Sequence, residues 1–437
     1  MESKVAESTQ QQLLPGKCVD LYYPDPQTAE KQCFRTSMNT KYVVGFNTLT
    51  AGVNVLTIPP NNGIGDVLVQ LTIAPPTTKT GIALEAGWGY ALINRLSYRV
   101  GGSSQYFLSG AQVLQNALRL CPDGTARDNI IQLGGPAIAS VADWANPNNL
   151  VAYCWLSFPW SRPSAVSKPP PLPTDLLTQQ VQIQLENFNI TSIAANNAGS
   201  TAGLALSAGN FVVGQVQLGN QGDALARRVD MTTHSLSYPV EFTQQEFGIN
   251  LGSAASGASQ QVSLTGFRSG EVKYIEMWLT ASNDTSTVYN SNKWYAPNNI
   301  IMTYAGDQYA RYDSGSSKLW NLINGRLLPT AALSVVQTAA TGNNVTANPS
   351  STSWVELPFA QSYTPESSHS MYISGKEITN GIVQVSFDLP YAPDAYSGAT
   401  PGGIIAGGSI SGNWTLQVSY VYNSVLVFSQ GTADFAF

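Results

Sequence analysis

The 437 residues include two histidines, His234 and His369, which lie 135 positions apart. A metal enzyme built on a β-barrel gathers several imidazoles and a carboxylate onto one ion, so two distant histidines do not supply its usual ligands. The four cysteines (Cys18, Cys33, Cys121 and Cys154) contain no Cys-x-x-Cys pair, and zinc held by thiolates lacks its spacing. Pairing Cys18 with Cys33, or Cys121 with Cys154, is one reading of them. Free, half-buried thiols in a reducing compartment are the expected one. Glycoside cleavage asks for less, two carboxyl groups about 5 to 9 Å apart. Asp307 with Asp313, or Glu271 with Glu276, are pairs that could serve, as any chain of this length offers. Gly87-Trp88-Gly89-Tyr90-Ala91-Leu92 opens like a dinucleotide loop, but Leu92 stands at the third glycine and no strand–helix unit surrounds it. It reads as a turn before a strand. Ser374-Gly375-Lys376-Glu377 lacks the upstream glycine and the hydroxyl residue of a phosphate loop, and no Gly-x-Ser-x-Gly elbow occurs. The expectation is no catalytic, cofactor-binding or metal-binding residue, and no cofactor.

Two further motifs have plain readings beside the functional ones. Glycosylation sequons stand at Asn189, Asn283, Asn344 and Asn413, in a chain so rich in Asn, Ser and Thr that several arise by chance. Asn413 opens an apparent core strand and is the poorest of the four. Lys168-Pro169-Pro170-Pro171-Leu172-Pro173 has the form of a polyproline ligand, but the expected reading is a stiff connector between strands, since each ring fixes its backbone at little entropic cost.

Composition narrows the class. Charged residues make up 11% of the chain, against about 25% in an ordinary soluble domain, while 43% is hydrophobic. Disorder by the low-hydrophobicity, high-charge route is excluded. With a net charge of -6, the chain also lacks the clustered Lys and Arg that direct, sequence-specific nucleic-acid binding requires. A charge-poor surface is weakly defended against self-association, which points to extensive burial against copies of the same chain. No apolar run approaches the roughly 20 residues of a membrane helix, and no apolar core follows Lys4, so a signal peptide is not expected.

The elements that must position these residues are strands. Residues 1–30 form a polar leader, with Gln10, Gln11, Gln12 and the Pro24-Asp25-Pro26 turn, and read as an arm outside any core. Beyond it, short alternating runs are separated by Gly, Pro and Asn turns. Val53–Ile58 is one run, and Val67, Val69, Leu71 and Ile73 share a face at period two in the next. The reading is all-β, sandwich or barrel.

An internal repeat organises the strands. Asn94–Gly102 leads into Gln105-Tyr106 and a short helix over Gln112–Leu118; Asn299–Gly306 leads into Gln308-Tyr309 and a short helix over Lys318–Ile323. Leu114 and Leu319 are 205 positions apart. Likewise Leu156–Trp160 precedes Val181–Leu185, and Glu356–Phe359 precedes Val383–Phe387, with Val181 and Val383 202 apart. Two matches in one order at nearly one spacing indicate duplicated barrels, 31–220 and 221–437. The junction is expected between the Gly/Ala/Asn/Ser-rich stretch 195–210 and a turn at Pro239, with Ala226–Asp230 as the link.

Leu92–Gly102, the block from Leu357 to Phe387, and the end of the chain over Val418–Leu426 and Ser429–Ala433 resemble the double jelly-roll major capsid proteins of icosahedral DNA viruses. The leader, and the charged Asp434 in the terminal stretch, depart from that pattern and mark a divergent member. The resemblance implies two tandem eight-stranded jelly rolls with short helices in loops. It implies a structural, non-enzymatic protein whose homotrimers form pseudo-hexameric capsomers in the virion. It also implies neighbouring capsomers, minor capsid and vertex proteins as partners, and often an internal membrane approached by the N-terminal arm. The alternative is a tandem jelly-roll protein that binds or cleaves carbohydrate, with aromatics and carboxylates converging on a cleft; an adhesin or spike subunit is a third reading.

Overall fold

The computed structural model describes residues 36–58, 63–84, 86–119, 124–161, 171–194, 200–218, 236–254, 257–268, 270–281, 297–312, 354–359, 376–378, 383–389, 394–396, 404–406 and 413–436. The first barrel is built from β1 (Thr36–Gly45), β2 (Gly52–Ile58), β3 (Gly63–Ala74), β4 (Ile93–Arg99), β5 (Tyr106–Ser109), β6 (Val151–Leu156), β7 (Val181–Asn187) and β8 (Ala205–Leu218). These strands pair antiparallel in two sheets, β1-β8-β3-β6 and β2-β7-β4-β5. Alternation explains them. Val67, Val69, Leu71 and Ile73 on β3 are buried, while Leu68, Gln70 and Thr72 between them are part-exposed. Period two therefore puts one face on the core and the other outward.

The second barrel continues with β9 (Leu236–Ser253), β10 (Ser259–Leu264), β11 (Gly270–Ala281), β12 (Asn298–Tyr304), β13 (Asp307–Tyr312), β14 (Val355–Pro358), β15 (Lys376–Ile378), β16 (Val383–Asp388), β17 (Asp394–Tyr396), β18 (Ile404–Ala406), β19 (Asn413–Ser429) and β20 (Thr432–Ala436). Its sheets run β14-β11-β19-β9 and β10-β16-β12-β13; β15 adds to β11, β20 to β19, and β17 pairs with β18. With β15, β17, β18 and β20 set aside, eight strands remain. Counted from β9, their sheet orders are 1-8-3-6 and 2-7-4-5, the same as in the first barrel. Two four-stranded sheets wound in this order are a jelly roll.

The sequence repeats fall on equivalent strands of this scheme. Asn94–Gly102 and Asn299–Gly306 cover the fourth strands and the turns after them. Leu156 and Glu356 lie on the sixth strands, and Val181 and Val383 start the seventh. The helix expected at Gln112–Leu118 spans Gly110–Arg119. That at Lys318–Ile323, the leader 1–30 and the link Ala226–Asp230 lie outside the described residues. The features expected to flank the junction lie partly in strands. Residues 205–210 belong to β8, and Pro239 is no turn but part of β9, in register with Val425. Proline has no N–H to donate, and among the described strands β9 pairs on one side only, with β19, the edge position in which a proline is tolerated.

One apolar core runs through both barrels. It joins Leu56, Val69, Leu96 and Phe158 of the first to Phe242, Met277, Trp414 and Phe435 of the second. The barrels are thus held by a buried seam, which the next section builds.

Candidate functional site: the seam between the barrels

Three pieces of the chain make the seam. The first is Tyr106, which opens β5. The turn before it, Gly101-Gly102, has φ of 48° and 92°, a left-handed backbone that glycine adopts without steric cost. Tyr106 leaves its own barrel and packs edge-on against Phe242 of β9 at 5.0 Å and Phe435 of β20 at 5.2 Å, with Tyr98 at 5.6 Å behind it. Its hydroxyl donates to Asp434 Oδ1 at 3.0 Å, and the Arg268 guanidinium lies 5.2 Å from its ring centre. Burial first, and then the Asp434 acceptor, raise the Tyr106 phenol well above its ordinary range, so it stays a neutral donor.

The second piece is the terminal hairpin β19–β20. Gln430 and Gly431 both have positive φ, 50° and 80°, as a two-residue hairpin turn demands. That turn reaches the first barrel. Gly431 O accepts from Thr178 N at 2.7 Å and from Thr178 Oγ1 at 3.0 Å, and Ala433 N donates to Gly101 O at 3.3 Å.

The third piece is the helix Gly110–Arg119. Ser109 caps it, its Oγ accepting from Gln112 N at 3.2 Å. Gly110 is required by close approach, since a Cβ there would stand 1.9 Å from Ile93 O. Val113, Leu114, Ala117 and Leu118 are buried, as an amphipathic face should be, yet Gln112, Gln115 and Asn116 are also fully buried. A helix buried all round has two partners. Its polar side meets the outer face of β14-β11-β19-β9: Ser419 Oγ donates to Gln112 Oε1, and Ser109 N donates to Gln245 Oε1 at 2.7 Å. Gln112 Nε2 in turn donates to Gln115 Oε1 at 2.9 Å and Asn116 Oδ1 at 3.3 Å. Across that sheet Gln245, Ser419, Glu276 and Glu356 stand in one register row.

This geometry parts Glu271 from Glu276. A bulge between Val272 and Tyr274 turns Glu271 and Glu276 to one face, but their partners Asn423 and Ser419 are four residues apart on β19, about 13 Å. The acid directly opposite Glu276 is Glu356, with Cβ atoms about 5 Å apart by register. This pair was not legible in sequence, because 80 residues separate its members and only pairing joins them. Both are buried, Glu276 wholly, and Trp354 Nε1 donates to Glu356 Oε1 at 3.3 Å. Asp307 is exposed at the start of β13, while Asp313, His234, His369 and Ser374-Gly375 lie outside the described residues. Among the described residues, no three His, Cys, Asp or Glu groups are placed to hold a metal ion.

Other candidates take structural places. Gly87, at φ 82°, is the turn before a short helix Trp88–Ala91. Leu172 of the proline run bridges Ile64 through hydrogen bonds of 2.7 and 2.9 Å, as a connector does. Cys154 is free and buried, and burial raises its thiol, so little thiolate forms. Cys18, Cys33 and Cys121, and the sequons at Asn283 and Asn344, lie outside the described residues. Asn189 is exposed, its Oδ1 accepting from Thr191 N at 3.2 Å; Asn413 is exposed at the first residue of β19. The signal that could have exposed the seam is the spacing of Gln112, Gln115 and Asn116 at i, i+3 and i+4, a polar stripe on a helix whose other side is apolar. No helix among the described residues is long and apolar enough to cross a membrane.

No protein-family model and no curated protein matches the chain. Solved structures do. The PBCV-1 virus capsid aligns over 93% of this chain and 99% of its own, at 14% identity and a TM-score of 0.60. PBCV-1 VP54, fitted into the virophage Sputnik, aligns over 92% and 98%, at 13% identity and 0.58. The mavirus major capsid protein aligns over 95% and 93%, at 10% identity and 0.51. At such identities the likeness is one of architecture, and the architecture of this chain is the double jelly roll of these viral capsid structures.

Proposed function

We propose that the protein is a structural major capsid protein of an icosahedral DNA virus, acting by assembly and without a catalytic site. It homotrimerises into pseudo-hexameric capsomers that tile the shell of the virion. The observation that carries this reading is the likeness over more than nine-tenths of the chain to the PBCV-1 capsid and the mavirus major capsid protein, spanning both barrels together. Physical reasoning supports it. Two barrels of equal strand order in one chain give a threefold ring a nearly sixfold outline, and closed cyclic assembly buries surface that 11% charge leaves poorly protected. In this reading 31–220 and 221–437 are the two assembling units, and the arm 1–30 contacts minor capsid or vertex proteins, or a membrane beneath.

The test is mass in solution together with electron microscopy of the expressed full chain. A three-chain particle that survives dilution, with a hexagonal outline, is expected. A monodisperse single chain would overturn the proposal. Trimming residues 1–20 is expected to leave that particle intact and to impair its incorporation into shells.

A further inference from the structure

A lysine, an asparagine and a glutamate on three adjacent strands of the second barrel share the outer face of β14-β11-β19-β9. Glu241 on β9 is the register partner of Asn423 on β19, and Asn423 is the partner of Glu271 on β11. Residues paired in this way turn to one side of the sheet, with Cβ atoms about 4.5–5.5 Å apart. Lys273 lies in the bulge between Val272 and Tyr274. Its ammonium donates to Glu241 Oε2 at 3.1 Å, and the Tyr274 hydroxyl donates to Glu241 Oε1 at 3.5 Å.

The strand order makes this contact informative. β19 separates β11 from β9, so two spacings of about 4.8 Å lie between the backbones of Lys273 and Glu241. The lysine side chain therefore crosses β19, and it crosses beside Asn423, the partner of the residue it reaches. The crossing is dry. The Lys273 side chain is 6% exposed and that of Glu241 18%, while Tyr274 and Val421, which share the adjacent row of the same face, are wholly buried.

Burial of an ion pair to this degree gains little stability, since desolvation offsets the attraction. The neutral form of the pair, amine and carboxylic acid, escapes that penalty and is one proton transfer away along the same contact. That transfer sets a nucleophilic amine beside an amide group, with an acid at hand for the leaving nitrogen. These are the parts of an acyl transfer.

We infer that Lys273 and Asn423 join through an isopeptide bond, with Glu241 carrying the proton. The Lys273 Nζ attacks Cγ of Asn423, and the new C–N bond forms as the bond from Cγ to Nδ2 breaks. Glu241 gives its proton to Nδ2 and takes one from Nζ in exchange, so it ends as the acid and the nitrogen leaves as ammonia. No oxidant, reductant or cofactor is consumed. The bond ties β11 to β19 within one chain and is independent of the capsomer proposal.

The mass of the full chain, measured after complete unfolding, tests it. The expected mass lies below that of the sequence by one ammonia. A tryptic digest is expected to yield a branched peptide in which Lys273 is uncleaved and bonded to Asn423. Glu241→Gln and Lys273→Arg, made separately, are expected to restore the full mass and abolish the branch. If either variant misfolds, the branched peptide of the wild-type chain decides. A wild-type chain at full mass overturns the inference. So does loss of water in place of ammonia, which puts the bond on a carboxylate, or ammonia loss mapped to a cyclised asparagine without a branch. Ammonia loss and branch retained in folded Glu241→Gln overturn the part given to Glu241. None of these results bears on the capsomer reading, which the mass of the native particle decides.

Discussion

Strands β3 and β11 are the third strands of their barrels and have the same neighbours in order, yet they are buried differently. On β3 the side chains from Val67 to Ala74 alternate between core and open face; on β11 everything from Val272 to Thr280 is buried. Topology is therefore not what sets the environment of an outer face. The tandem arrangement contributes, because among the described residues the first barrel's Gly110–Arg119 helix sits on the second barrel's sheet. The eighth strands differ on their core faces as well. β8 contains no tyrosine, whereas β19 holds Tyr420 and Tyr422 wholly buried, the first donating to Glu246 and the second accepting from Arg268 N at 2.9 Å.

The comparison can be broken most severely at Tyr106. Tyr106→Ala removes a ring that the first barrel buries in the second, and is expected to cost on the order of 3–5 kcal/mol in chemical unfolding. A loss below about 1 kcal/mol would mean that the barrels are not stabilised through this seam.

Alkaline pH is expected to act next, and on the second barrel. Burial pushes the Tyr422 phenol up to about 12 and raises Tyr420 further, whereas unfolded tyrosine ionises near 10. A raised folded pKa gives stability that is whole below pH 10 and is lost as pH rises from 10 toward 12, about 2–3 kcal/mol for Tyr422. Melting temperature as a function of pH measures this loss. Tyr422→Phe should flatten the fall, and an unchanged slope would remove Tyr422 from the account.

Gln112→Ala sharpens the contrast between the two outer faces. It takes the partner from Ser419 and the donor from Gln115 and Asn116, all buried, at a cost of about 1–3 kcal/mol. The smallest effect is expected on the open sheet, where Gln70→Ala changes stability by no more than about 0.5 kcal/mol. Equal costs at Gln112 and Gln70 would erase the distinction between a covered and an open face.

Much of the fold was legible because strands write their pattern locally. Val67, Val69, Leu71 and Ile73 announce a core face, and the repeats at Asn94 and Asn299, and at Val181 and Val383, mark equivalent strands, since duplication leaves similar residues where the same turn or pleat is required. Pro239 misled because a proline that ends a central strand is harmless on an edge, and edge position is a property of pairing. The site was less legible. Gln112 and Ser419 are 307 residues apart, and Glu276 and Glu356 carry no local sign of their neighbour.

By itself the sequence determined an all-β chain, its duplication, the scarcity of charge and the want of histidine for a common metal chemistry, all consequences of composition and short-range periodicity. Only the tertiary structure decided that one outer sheet lies open with an apolar row while its counterpart is buried and polar, that Tyr106 crosses into the second barrel, and that the terminal turn at Gly431 reaches back to Thr178. The physical reason is range. Periodicity follows from the geometry of one strand, whereas burial of a strand's second face depends on what the rest of the chain places against it.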